Sequence, residues 1–299
     1  MSQQPPTGYE RPESLERALA LRAEAAEAGG GAVLAGGTDL FAMTARPGLA
    51  GPVLDLTGCA ALQGLSCGPD GLRIGAATTW TEVAEARLPA ACAGLRAAAR
   101  QVGSRQIQNR GTVGGNLCNA SPAADGVPPL LTLDAEVELA SVRGTRRLPL
   151  AAFLHGPRAT ALAGDELLTA VILPSAALAG RGGFEKLGAR AHLVISIAMA
   201  AARLETSAGR VTAAALALGA CGPVAARLPE VEAALVGRPA DATLAGAVTD
   251  AAVAAAIAPI DDIRADAAYR RRAAAEILRR AVAAALDAPA APSLRETAA

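Results

Sequence analysis

Apolar and charged positions alternate at helical spacing over residues 13–28, which read ESLERALALRAEAAEA. Glu13 and Ser14 stand where a first turn and its cap belong, and Gly29, Gly30 and Gly31 close the run. The pattern predicts one helix. Short apolar runs follow at 33–35 and 53–56, each the length of a small strand. Residues 63–77 are arranged about Gly68-Pro69-Asp70-Gly71, which predicts a hairpin. Residues 81–86 and 89–102 return to helical spacing, and Gly103 stops the second. Residues 128–134 begin as a loop. Residues 136–141 and 167–173 read as strands, the latter ended by Pro174. The run 174–183, PSAALAGRGG, is small, glycine-rich and weakly periodic, and marks a domain boundary. Past it, 183–205 and 210–219 read as strands joined at Ser207-Ala208-Gly209. Residues 228–235, 244–257 and 266–286 read as helices. Strands and helices do not alternate regularly, which predicts an α+β fold rather than a doubly wound one.

Two stretches break the periodic pattern. Residues 109–125 read NRGTVGGNLCNASPAAD, and residues 33–40 read VLAGGTDL. Runs so rich in glycine have few side chains to fill a core. They bring backbone N–H groups close to something outside the chain. Thr38 and Thr112 add hydroxyl donors, and the amides around Gly36, Gly37, Gly114 and Gly115 suit phosphate oxygens. Asn116 can donate and accept. Asp125 is an acceptor for a ribityl or ribose hydroxyl or a ring N–H. Either stretch alone reads as a surface turn. Together they read as two loops closing on one diphosphate. There is no GxxxxGK[ST], which argues against a P-loop NTPase, and no GxGxxG between a strand and a helix.

Composition narrows the partners. Hydrophobic residues are 52% of the 299, but aromatics only 2%, so Ala, Leu and Val pack the core. The 28 basic and 28 acidic residues cancel, so bulk charge draws neither nucleic acid nor an anionic membrane. No apolar run approaches the roughly 20 residues of a membrane span. The start, MSQQPPTGYERPES, lacks a basic region followed by an apolar one, so a cytoplasmic chain is expected. Cys59, Cys67, Cys92, Cys118 and Cys221 form no CxxC pair, and their spacings suit neither zinc nor an iron–sulfur cluster. His155 and His192 are too few for a histidine-based metal site. Taken alone, Phe184 reads as core and Lys186 as a solvated strand residue. The arginines at 270, 271, 272, 279 and 280 read as a solvated helix face, and Asp261, Asp262 and Arg264 as a local ion-pair network.

Several pieces carry a family resemblance. They are the AGGTDL loop, the run RGTVGGNLCNASPAAD and Phe184-Glu185-Lys186 with Arg190. Further along come Gly219–Val224 with Arg227, and PIDDIR at 259–264 with Tyr269 and Arg270. The chain resembles the FAD-binding subunit of molybdenum hydroxylases of the xanthine dehydrogenase and carbon monoxide dehydrogenase type, over nearly its whole length. The resemblance implies a FAD-binding domain of the vanillyl-alcohol-oxidase type, with two α+β subdomains, over residues 1–176. A smaller C-terminal α+β domain would span 177–287, and a disordered tail 288–299. It places the FAD diphosphate between the loops, against Leu34, Ala35, Gly36, Gly37, Thr38, Asp39 and Leu40 on one side. Gly111, Thr112, Gly114, Gly115 and Asn116 would face them. It implies that Asp125 contacts the flavin and that Thr79 lies near the cofactor. Val102 would be an apolar flavin neighbour, with Leu168 and Lys186 near the adenine end and the flavin edge.

The implied partners are a small iron–sulfur subunit and a large subunit with a molybdopterin cofactor, in a dimer of heterotrimers. NAD or a quinone would be the acceptor. The iron–sulfur cysteines of fused relatives are absent here, so any cluster belongs to another chain. Many relatives carry an aspartate near the position of His192. FAD is expected to be non-covalent, since neither histidine stands in a tethering motif and Cys118 lies inside a phosphate loop. A self-contained FAD oxidoreductase of the same fold is the alternative, and it needs a base that the chain does not offer. A module that has lost FAD is disfavoured by the intact glycine loops.

Overall fold

The computed structural model describes residues 8–42, 49 and 51–289. Of the tail expected over 288–299, Ala288 is described as the buried cap of the last helix, and residues 290–299 lie outside the described residues. The chain opens with a small parallel sheet. Strands β1 (Tyr9–Glu10) and β2 (Ala32–Leu34) flank β3 (Val53–Asp55). Helix α1 (Leu15–Glu27) begins at Ser14, whose hydroxyl accepts from the Arg17 N–H at 3.2 Å. Its Ala18 is buried with Leu54, Leu56 and Leu62, and Leu15 and Leu19 pack alongside.

A second lobe follows. Its antiparallel sheet has the order β4-β5-β10-β6-β7, from β4 (Leu65–Gly68), β5 (Gly71–Gly75), β6 (Glu136–Ser141), β7 (Gly144–Pro149) and β10 (Leu167–Pro174). Between β5 and β6 run α2 (Trp80–Glu85), α3 (Ala93–Gln101), α4 (Arg105–Gln108), α5 (Val113–Asn119) and α6 (Val127–Thr132). Between β7 and β10 come α7 (Leu150–Phe153) and a small ribbon of β8 (Leu154–Gly156) and β9 (Ala159–Thr160). The third unit is an antiparallel sheet of β11 (Arg181–Leu187), β12 (Ala198–Ser207), β13 (Arg210–Gly219) and β14 (Ala226–Arg227). Helices α8 (Pro229–Ala233), α9 (Asp250–Ala256) and α10 (Ala267–Asp287) accompany it, with α10 lying on β11 and β12.

The hairpin at β4–β5 and the helices α1 and α10 lie where periodicity predicts them. Five stretches differ. The glycine run becomes a helix after Thr112, because the Thr112 hydroxyl accepts from the Gly115 N–H at 3.1 Å and caps it. Residues 127–132 are helical rather than a loop. Their prolines sit in the first turn, where no N–H is needed. Strand β7 escapes periodicity because GTRRLP has no apolar alternation. It is held to β6 by the ladder and by Arg147, which pairs with Glu138 at 3.1 Å. The single strand expected over 183–205 is two strands, and the helix expected over 244–257 breaks before Thr249, which caps α9.

The run 174–183 is not a loose linker. Residues 175–178 form a 3₁₀ turn, and Gly182 and Gly183 already belong to β11. A Cβ at Gly182 would stand 2.3 Å from the Ala91 carbonyl oxygen, and one at Gly183 would stand 2.3 Å from that of Ala281. Strand β11 is pressed between backbone ahead of α3 on one face and α10 on the other. Glycine there is a packing requirement. Gly183→Leu forces backbone apart rather than a flexible side chain. It is expected to lower chain stability by about 3 kcal/mol, the upper part of the usual overpacking range, read as a shift in the urea unfolding midpoint.

Candidate cofactor site

Strand β2 runs out into Ala35-Gly36-Gly37, and the chain turns through Gly37 at φ +73°. A Cβ on Gly36 would fall 2.0 Å from the Arg110 carbonyl oxygen. Only glycine lets the first loop lie against Arg110–Gly111. The second loop is tied from behind by the segment before α2. Trp80 N–H donates to the Gly111 carbonyl at 3.0 Å, and Val113 N–H donates to the Thr78 carbonyl at 3.0 Å. The three segments enclose a cavity of about 330 Å³.

Ala35, Gly36, Gly37, Thr38, Asp39 and Leu40 line one wall. Gly111, Thr112, Gly114, Gly115 and Asn116 also line it, with Val102 and Leu168. Four nominated residues lie elsewhere. The Leu34 side chain packs behind Gly37, 3.2 Å from where its Cβ would be. Thr79 opens on a neighbouring polar hollow that shares Gly36, Ala77 and Thr112 with the first. Its hydroxyl is used in a capping box with Glu82. Asp125 and Lys186 lie off the wall, paired with each other at 2.5 Å. Trp80, Ile107, Leu56 and Leu62 line the cavity without having been singled out by motif. The chain's one tryptophan, beside the Thr78-Thr79 pair, is the signal that could have found the first of these.

The amide cradle is one-sided. The N–H groups of Gly36, Gly37, Thr38 and Asp39 donate to no protein atom among the described residues. Those of Gly114 and Gly115 are already spent, on the Ala76 carbonyl at 2.8 Å and on the Thr112 hydroxyl. The Gly114 and Gly115 amides expected in the cradle are thus taken by the protein itself, because α5 begins there. Asn116 Oδ1 is buried and has no partner. Orphaned buried acceptors of this kind point to a missing donor. A Cβ on Gly115 would meet only the Thr112 hydroxyl, at 2.9 Å. Unpartnered amides, an orphaned acceptor and an open glycine face fit a dinucleotide with a diphosphate.

Two of the titratable groups in the wall, Glu166 and Cys118, are not free to act as bases. Arg146 holds Glu166 through two contacts at 2.6 and 2.8 Å, and the Ala163 N–H donates to it at 2.8 Å. Together they keep its carboxyl below the usual range. Burial pushes the Cys118 thiol up to about 12, so it is no thiolate at neutral pH. Behind the wall, burial pushes the Asp125 carboxyl up, against the pull of Lys186 and of the Ser196 hydroxyl. Lys186 is buried rather than solvated, with 6% of its side chain exposed. Phe184 is core. Arg270 is buried and bonds Asp262, which also pairs with Arg264 at 3.0 Å, whereas Arg271 and Arg272 are exposed. Among the described residues no cluster of His, Cys, Asp and Glu could hold a metal ion, and no helix is long and apolar enough to cross a membrane.

A two-lobed α+β scaffold that closes a glycine loop over a cavity, with a separate antiparallel sheet behind it, defines a class of FAD-binding flavoprotein. Residues 4–176 match the family described as the FAD binding domain in molybdopterin dehydrogenase, and residues 184–285 match the CO dehydrogenase flavoprotein C-terminal domain. The chain belongs to this family, as a FAD-binding medium subunit of the molybdenum hydroxylase type. It is 36% identical over 214 residues to the nicotinate dehydrogenase FAD-subunit of Eubacterium barkeri, covering 70% of this chain and 72% of that one. It is 32% identical to the nicotine 6-hydroxylase medium subunit of Paenarthrobacter nicotinovorans, covering 93% and 96%. Its fold superposes on a chain of CO dehydrogenase from Oligotropha carboxidovorans with a TM-score of 0.83. That match has 30% identity and covers 96% of this chain and all of the other. For quinoline 2-oxidoreductase from Pseudomonas putida 86 the TM-score is 0.84, at 27% identity, covering 95% and 98%.

Two substitutions test the cavity. Gly115→Val projects a branched side chain into the open face. It is expected to cut the flavin-to-protein ratio at least tenfold, an effect of about 1.4 kcal/mol or more, with the far-UV circular dichroism unchanged. Asn116→Ala removes an acceptor that the empty chain leaves unsatisfied. It is expected to leave unfolding of the FAD-free chain within about 0.5 kcal/mol of the parent while weakening FAD binding by about 1 kcal/mol. Urea unfolding and flavin fluorescence titration separate the two effects.

Proposed function

We propose that this chain is the electron-transfer subunit of a three-chain oxidoreductase. Electrons taken from an organic substrate at a molybdenum centre on a large partner reach it through iron–sulfur clusters on a small partner. They leave for an external acceptor, NAD or a quinone, and the assembly is a dimer of heterotrimers. FAD, when bound, supplies a centre able to exchange electrons singly or in pairs. The protein's own residues bind and orient it. The free amides of Gly36–Asp39 hold the diphosphate, and Thr38 and Thr112 add hydroxyl donors. Asn116 Oδ1 accepts from the cofactor, and Val102 and Leu168 pack against its flat parts. Leu34 and Thr79 support the loops from behind, and Asp125 and Lys186 stand at the margin.

The observation that carries this reading is that four unpartnered amides, of Gly36–Asp39, and Asn116, whose Oδ1 is buried without a partner, belong to the lining of one cavity. Two of the candidates for a base in the wall are disarmed, which favours electron transfer over a self-contained oxidase. Glu166 is tied to Arg146 and Cys118 is a neutral thiol, while Asp39 is a solvent-exposed carboxylate on the first loop, among the amides that would hold the diphosphate. A neutral thiol at Cys118 also supports a non-covalent cofactor.

The isolated yellow chain, kept anaerobic, is expected to keep its flavin absorbance when mixed with purines, aldehydes or carbon monoxide. Adding the iron–sulfur and molybdenum chains is expected to bleach it with the matching substrate. Acid precipitation of the same preparation leaves the flavin in the supernatant. Bleaching of the lone chain by an organic substrate would overturn the subunit reading in favour of the self-contained oxidase. NADH alone is allowed to bleach it, because the acceptor reaction can run backwards.

A further inference from the structure

The cavity wall is built wholly from residues between 33 and 168, yet three residues of the C-terminal domain reach its margin through four hydrogen bonds. Lys186 Nζ donates to Asp125 Oδ2 at 2.5 Å and to the Gln101 carbonyl at 3.1 Å. Ser196 Oγ donates to Asp125 Oδ1 at 2.5 Å. Leu193 N–H donates to the Gly103 carbonyl at 3.3 Å. Gln101 and Gly103 flank Val102, which lines the cavity. Asp125 precedes Gly126, whose missing Cβ would stand 2.3 Å from the Trp80 ring and 3.2 Å from Asn116 Oδ1. The contacts therefore grip the two segments that shape this part of the wall.

Ser196 stands out among them. It is 1% exposed and Asp125 is 7% exposed. A carboxylate at that depth needs a donor on each oxygen. Lys186 supplies one and Ser196 the other. Rotation about the last bond of an aspartate is soft, so one donor does not fix the carboxylate plane. The Ser196 backbone is itself held. The next residue, Ile197, donates its N–H to the Leu187 carbonyl at 2.8 Å and accepts from buried Arg270 at 2.7 Å.

We infer that Ser196 is a positioning residue for the cofactor. By holding Asp125 Oδ1 it keeps that carboxylate turned toward the C-terminal domain and off the cavity wall, with Gly126 set beneath Asn116 and Trp80. This rests on the reading of the cavity as the FAD seat. A carboxylate freed to turn into the cavity would place negative charge near a group that gains electrons, and so oppose its reduction.

The test uses the full chain purified with FAD. Ser196→Ala is expected to raise the FAD dissociation constant roughly tenfold, as loss of a hydrogen bond to a charged group does, and to move the flavin midpoint potential to a more negative value. In an Asp125→Asn background the same change is expected to leave the potential where it is, because no charge remains to be released. An unchanged potential in Ser196→Ala, or the same shift in both backgrounds, overturns the inference. Where the alanine variant loses its far-UV signal, Ser196→Cys keeps the volume, weakens the donor and carries the same expectation in smaller measure. Failure of the unsubstituted chain to hold FAD would instead overturn the cofactor reading itself.

Discussion

The cavity depends on one close approach. The first glycine loop touches the second where Gly36 meets the Arg110 carbonyl, and a Cβ there would sit 2.0 Å from that oxygen. No other residue type permits the contact. The loops touch, and the amides of residues 36–39, which line the cavity beside that contact, donate to no protein atom among the described residues. Because the second loop is also tied to Thr78 and Trp80, α5 starts at Thr112 and directs Asn116 into the same space. Move the two backbones apart by the width of a methyl group and the two loops no longer line one cavity in this way.

The same economy of side chains governs the join between domains. With aromatics at only 2%, the chain fills space by bringing backbones together. Strand β11 shows how, with Gly182 against Ala91 and Gly183 against Ala281. Next door the chain does the opposite and buries charge. Asp125, Lys186 and Arg270 all sit in the interior, each with partners. Buried ion pairs of this sort add little net stability over apolar packing, but breaking one leaves an unpaired charge inside. They fix which surfaces meet, which suits a domain join beside a cofactor cavity.

The family match and the cavity agree on FAD as the group that the chain holds. The wall's buried carboxylate, Glu166, is tied to an arginine and its thiol, Cys118, is neutral, so neither is free for acid–base chemistry. The named relatives carry names for nicotinate, nicotine, quinoline and carbon monoxide enzymes, and the fold recurs in the two of them with solved structures, for CO dehydrogenase and quinoline 2-oxidoreductase.

The residues by themselves determined the outer helices, the β4–β5 hairpin and the two glycine loops. Each rests on local physics: helical spacing with a cap, a Pro-Asp-Gly turn, and glycine where backbone must come close. Sequence placed Gly36 and Gly115 in one site, and the structure brings both to the cavity. Tertiary structure decided the rest. It turned part of the second loop into α5 and so took the Gly114 and Gly115 amides away from any ligand. It drew Leu56 and Leu62, far from any motif, into the wall, and set Lys186 on Asp125 rather than in solvent. It added Ser196, which carries no motif at all. Periodicity and turn chemistry act over a few residues. A hydrogen bond between residues 71 apart, as from Ser196 to Asp125, exists only once the sheets have packed.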